Sequence, residues 1–123
     1  IEASVRKLRN FFDVLLGEEG CVLWLCNQGK VRTGILAMLL ESLLGVDEQL
    51  IISDYVASGR FLRHKRRLQK TAIFIVPCPL RIKLILNALI NVKPRYITGA
   101  IDAIKEKYGS VTEYCKQVIK ITD

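Results

Sequence analysis

The chain predicts an α/β fold in which one parallel-sheet strand leads into an anion-binding loop and the remainder is mostly helical. Three observations carry this prediction. Val22-Leu23-Trp24-Leu25 is a continuous apolar run, as expected of a parallel strand buried on both faces. It breaks abruptly into the polar, glycine-containing stretch Asn27-Gln28-Gly29-Lys30. Almost everywhere else, apolar residues recur at helical spacing. A single strand cannot pair with itself, so further strands are expected upstream of Ile1, and a chain opening on isoleucine reads as part of a longer domain.

Residues 2 to 16 place Val5, Leu8, Phe11, Phe12, Leu15 and Leu16 on one helical face and Arg6, Lys7, Arg9 and Asp13 on the other, an amphipathic helix expected to lie on the sheet. Gly17 and Gly20 end it and turn the chain into the strand. After the loop, Ile35 to Leu44 is apolar on nearly every side, as in a helix at the centre of a domain. Gly45 stops it. Asp47 is placed to cap the next helix, whose inner face holds Leu50, Ile51, Ile52, Tyr55 and Val56. Arg60 to Lys70 continues with helical character. Ala72-Ile73-Phe74-Ile75-Val76 is β-branched and aromatic enough for a strand, although helix and loop are the competing reading, and Pro77 and Pro79 end whichever forms. Leu80 to Ile90 is again helical in period. Pro94 suits the first turn of a helix running to Tyr108 and stopped by Gly109, and Ser110-Val111-Thr112-Glu113 has the Ser-x-x-Glu form of a capping box that opens a last helix.

With 123 residues, 50% hydrophobic and 25% charged, the chain can bury a modest core and is not of disordered composition. Its net charge of +7 is local, because six Lys and Arg residues lie between Arg60 and Lys70. Such a stretch is either a solvated basic helix face or a surface for an anionic partner. Cys21, Cys26, Cys78 and Cys115 accompany no secretory segment and no C-x-x-C pair, which suits a reduced, cytoplasmic setting. With His64 the sole histidine, a zinc site is not expected. No apolar run reaches the ~20 residues of a membrane span. Residues 71 to 79, if exposed, are a candidate for membrane-surface contact or for association with another chain.

The chemistry concentrates at Cys26-Asn27-Gln28-Gly29-Lys30-Val31-Arg32-Thr33-Gly34. A cysteine followed six residues later by an arginine, with a helix behind, fits a loop whose N–H groups converge on one anion. The field that holds a phosphate dianion also favours a thiolate, so Cys26 is a candidate nucleophile. Arg32 offers a bidentate fork for two phosphoryl oxygens, Thr33 a hydroxyl beside the sulfur, and Lys30 a second cation at the rim. The alternative for Cys26 alone is an inert core residue, the reading that also covers Cys21, Cys78 and Cys115. A Walker loop does not fit, since Trp24 stands where its first glycine is needed.

This loop resembles the signature of the cysteine-dependent protein tyrosine/serine phosphatases, in particular their bacterial and fungal atypical dual-specificity branch. Gly45-Val46, Ile52-Ser53-Asp54-Tyr55, Ala100-Ile101-Asp102-Ala103-Ile104 and Lys107-Tyr108-Gly109-Ser110-Val111 are similar to that branch's carboxy-terminal half; residues 65 to 92 are not placed by it. The resemblance implies that residues 1–123 are the carboxy-terminal portion of a single phosphatase-like catalytic domain, with Cys26, Arg32 and Thr33 catalytic and Asn27, Gln28, Gly29, Lys30, Val31 and Arg32 holding the phosphate. It implies neither metal nor cofactor.

Two positions depart from the family pattern. Leu25 stands where histidine usually precedes the cysteine, and Val31 where this branch usually has aspartate before the arginine. Both bear on thiolate stability and proton handling more than on phosphate binding. The expected activity is phosphomonoester hydrolysis through a cysteinyl-phosphate, on phosphotyrosine or phosphoserine proteins or on phosphoinositides; Lys30 is either the mark of a substrate with several phosphates or a solvent-facing lysine. Asp54 reads as a helix-surface residue. The competing readings are a phosphatase-like module that binds phosphate without turnover, and a basic helical interaction protein. No nucleic-acid recognition motif is visible, so no nucleic-acid partner is expected.

Overall fold

Helices account for nearly all of the regular structure in the computed structural model, which describes residues 2–26, 31–61 and 63–121. In order they are α1 (Glu2–Gly17), α2 (Val31–Leu43), α3 (Glu48–Phe61), α4 (Arg63–Ile75), α5 (Leu80–Ile90), α6 (Pro94–Tyr108) and α7 (Val111–Tyr114), the last running into a π-helical turn, Cys115–Ile119. Among the described residues there is no strand, and the α/β expectation with a parallel strand at Val22–Leu25 is overturned. The reason lies in the backbone. A strand needs a ladder partner for its N–H and C=O groups, and the other apolar segments described here satisfy theirs within helices.

Residues 21–26 therefore stay extended without a ladder. Their side chains alternate, as an extended chain requires. Val22, Trp24 and Cys26 are half-buried, whereas Leu23 is 83% exposed and Leu25 77%. Trp24 sets its ring edge-to-face against Phe11 of α1, centroids 5.4 Å apart, and Phe11 meets Phe12 in the same way at 5.2 Å. This aromatic chain holds the segment on α1.

The core lies between α2, α3, α6 and the carboxy-terminal turns. Met38 and Leu39 come from α2, Ile51 and Tyr55 from α3, Ile97 and Ile101 from α6, and Val111, Cys115 and Ile119 from the end of the chain. Phe12 closes it from α1, which packs on the π-helical turn rather than on a sheet. Burying each of these large side chains contributes about 1.5–3 kcal/mol.

The predicted stops and caps are present. Gly45 and Gly109 adopt φ of 76° and 83°, the left-handed conformations that glycine reaches without a Cβ penalty. The Gln49 N–H donates to Asp47 Oδ2 at 2.9 Å, and the Glu113 N–H donates to Ser110 Oγ at 3.0 Å. Pro94 occupies the first turn of α6. Beyond α7 the chain widens into the π-helical turn and leaves it through Lys120 at φ 63°.

The ambiguous run after Lys70 is resolved as helix to Ile75. Ile73 and Phe74 line a groove against Leu80, Lys83, Leu84 and Asn87 of α5, so α4 and α5 form a hairpin and no neighbouring strand is offered for β pairing. The last turn closes through Val76 N–H to Ala72 O, 3.0 Å, just before Pro77, whose ring disfavours a helical residue ahead of it. At its other end the hairpin is tied to the body. Arg66 donates to the Gly59 carbonyl, Val92 lies so close that a Cβ on Gly59 would sit 3.3 Å from its Cβ, and the Tyr96 hydroxyl donates to Ala88 O at 3.3 Å.

Candidate active site

Cys26 ends the extended segment, two residues beyond the Trp24 anchor, and is half-buried. The predicted phosphate-loop residues Asn27, Gln28, Gly29 and Lys30 lie outside the described residues. Immediately after them α2 begins at Val31 and runs for 13 residues. Its first-turn N–H groups have no intrahelical acceptors, and no acidic side chain stands in that turn to occupy its positive end. A helix start of this kind is electropositive.

Val31 and Arg32 are exposed on the first turn, and Thr33 is half-buried. The Thr33 hydroxyl oxygen is buried and has no hydrogen-bond partner among the described residues. The cysteine and the arginine–threonine pair are therefore held by different elements, the first by the segment on α1 and the second by α2, with residues 27–30 joining them.

Gly34 has a packing role that spacing alone did not reveal. A Cβ there would fall 2.7 Å from Tyr55 Cδ2 and 2.8 Å from Cε2, distances that real Cβ atoms do not tolerate. The missing side chain lets an edge of the buried Tyr55 ring pack directly on the first turn of α2 and fix the helix that carries Arg32 and Thr33. The Tyr55 phenol is held above its ordinary pKa by burial and then by nearby Tyr96. A glycine one turn into a helix was the available signal of such an approach.

Below this turn is a cavity of about 80 Å³ lined by Thr33, Gly34, Glu41, Asp54, Tyr55 and Ser58, among others. Glu41 has its pKa raised, first by burial and then by the charge of Asp54. Asp54, on α3, is exposed and contributes its charge to this cavity. Among the described residues no cluster of three or more His, Cys, Asp or Glu is placed to hold a metal ion.

The other cysteines separate by burial. Cys115 is fully buried, and burial pushes its thiol pKa up to about 11, which makes it a poor nucleophile. Cys78 is half-buried. Cys21 is exposed, against the expectation that it belongs to the core, because residue 21 falls on the outward side of the alternating segment.

The family model described as the tyrosine phosphatase family matches residues 1–123. A Cupriavidus necator protein described as a candidate tyrosine-protein phosphatase is 27% identical over 100 residues, which are 81% of this chain and 36% of that protein. A tyrosine-protein phosphatase of Nostoc commune is 44% identical over 45 residues, 37% of this chain and 15% of its own length. The chain thus spans about a third or less of these relatives. No solved structure is significantly similar to it. With the match running from the first residue to the last, the chain belongs to the tyrosine phosphatase family.

Proposed function

We propose that the chain supplies the nucleophile and the phosphate-binding helix of a metal-independent phosphomonoester hydrolase, acting on phosphotyrosine or phosphoserine proteins or on phosphoinositides. The observation that carries this reading is the start of α2 directly after the loop, with its first turn free of acidic side chains and with Cys26 on the segment leading in. The Cys26 thiolate attacks phosphorus in line, forming the S–P bond as the ester P–O bond breaks. Loop and first-turn N–H groups and the Arg32 guanidinium stabilise the equatorial oxygens. The Thr33 hydroxyl, buried and without a hydrogen-bond partner among the described residues, is available to the sulfur as it leaves. Water then cleaves the S–P bond and releases phosphate.

A second reading, a phosphatase-like module that binds phosphate without turnover, is favoured by Leu25 and Val31. Both flank the loop as exposed apolar residues, so neither handles a proton there. Loss of a general acid commonly costs about 10²- to 10⁴-fold in rate.

Hydrolysis of a generic aryl phosphate by the full-length protein separates the two. The parent is expected to turn over with chelator present, and Cys26→Ser to lose activity by several orders of magnitude while still binding vanadate or phosphate. Phosphate binding with no turnover by the parent would select the second reading. Activity that survives Cys26→Ser, or disappears with chelator, would overturn the cysteine mechanism.

A further inference from the structure

We infer that the α4–α5 hairpin docks the protein on the surface of an anionic phospholipid bilayer. The tip between the helices is apolar and uncovered. Phe74 is 82% and Ile75 72% exposed, and Val76 and Leu80 are exposed with them. From Thr71 to Leu80 no residue is charged. On α5 the groove toward α4 takes Leu80, Lys83 and Leu84. Ile82, Ile85 and Leu86, outside that groove, are also exposed. In contrast, the apolar side of α6 is fully covered at Ile97 and Ile101. Contiguous apolar surface of this kind marks a contact face.

The charge around the tip specifies what it contacts. Between Tyr55 and Ile101 the chain has ten Lys and Arg and no Asp or Glu. Arg66 is engaged by the Gly59 carbonyl, but Arg63, Lys65, Arg67 and Lys70 on α4 and Arg81 on α5 are exposed. Lys83 bends to the tip, its ammonium donating to Phe74 O at 3.1 Å and lying 5.8 Å from the Phe74 ring centroid. A helical pair with exposed aliphatic and aromatic side chains, and with cations that form no ion pair among the described residues, matches an interface whose outer layer is negative and whose inner layer is hydrocarbon. No helix among the described residues is long and apolar enough to cross a membrane, so the hairpin would lie on the surface, with Phe74, Ile75, Val76 and Leu80 entering the headgroup–acyl boundary and lysine and arginine stems reaching back to the phosphates.

This inference does not rest on the phosphatase reading, because binding is measured without turnover. The full-length protein is mixed with phosphatidylcholine vesicles with and without phosphatidylserine, and the bound fraction is read by co-sedimentation at low and at physiological salt. Binding is expected only with phosphatidylserine, weakening as salt screens the cations. Phe74→Asp with Ile75→Asp is expected to lower it about tenfold or more, and Lys65→Glu with Arg67→Glu to a similar extent. All four side chains are exposed, and unchanged circular dichroism and melting would show that the fold is kept. No binding, equal binding to neutral vesicles, or indifference to the tip variant would overturn the inference. So would a tip-dependent dimer in sedimentation velocity with no vesicle binding, which would assign the surface to a second copy.

Discussion

At the scale of single residues, the cavity under α2 makes a pH-dependent claim. Burial, and then the Asp54 charge, hold the Glu41 carboxyl above its ordinary pKa. Between the ordinary value and the raised one, the folded protein keeps a proton that the unfolded chain has lost, so stability through this group falls as pH rises across that window. Above it, the cost is carried in full. Glu41→Gln removes the charge and keeps the shape, so its melting temperature is expected to exceed the parent's near pH 7 and to converge with it below about pH 4. A lower melting temperature at neutral pH would show that the ionised carboxylate is stabilising and would sink the assignment. The placement of Arg32 and Thr33 on the first turn of α2, and of Cys26 on the segment before it, was legible in sequence because their order fixes which end of a helix they meet. Gly34 was legible only as a loop glycine, since its partner Tyr55 is on another helix and no local pattern names it. Cys21 was misjudged because its side depends on the alternation of a segment whose neighbours the sequence does not show.

Among the elements, α1 depends on a contact between the two ends of the chain. Arg9 Nε donates to Ile119 O at 2.9 Å and its Nη2 to Val118 O at 3.2 Å, which places a cation on the last carbonyls of the π-helical turn, where the helix end is negative. Hydrogen bonds from a charged donor contribute about 1.5–3 kcal/mol each, not additively. Arg9→Met keeps the stem but withdraws both donors, and is expected to cost about 2 kcal/mol, read as a lower denaturation midpoint with an unchanged slope. An unaltered midpoint would mean that the apolar face of α1, with Leu8, Phe11, Phe12 and Leu15, secures it without this contact. The sequence foretold α1, α2, α3, α5 and α6 because each carries its own period and punctuation, including Asp47, Gly45, Pro94 and Gly109. It misled at Val22–Leu25, where an apolar run has strand composition but the structure gives it no ladder. It was silent on the π-helical turn, because Cys115 and Ile119 have the same four-residue spacing in an α-helix.

Over the whole molecule, burial divides the helices unevenly. The side chains of Ile97, Ile101, Met38 and Leu39 are almost completely withdrawn from water, whereas α4 and α5 lean mainly on each other and reach the body through Arg66, Val92 and Tyr96. Residues 65 to 92 were the part the sequence placed least well, and the cause is physical. A helix that buries one face in a core displays a single apolar stripe, but α5 has apolar residues both toward α4 and away from it, so its helical period was plain while the face it packs was not. Local opening free energy follows buried apolar contact. In hydrogen exchange on the lipid-free protein, amides of α4 and α5 are therefore expected to exchange more than about tenfold faster than those of α6 around Ile97 and Ile101. The hairpin can then open while α2, α3 and α6 keep their packing. Equal protection of hairpin and α6 would mean that the two open together, and that the exposed apolar faces of α4 and α5 are covered in solution.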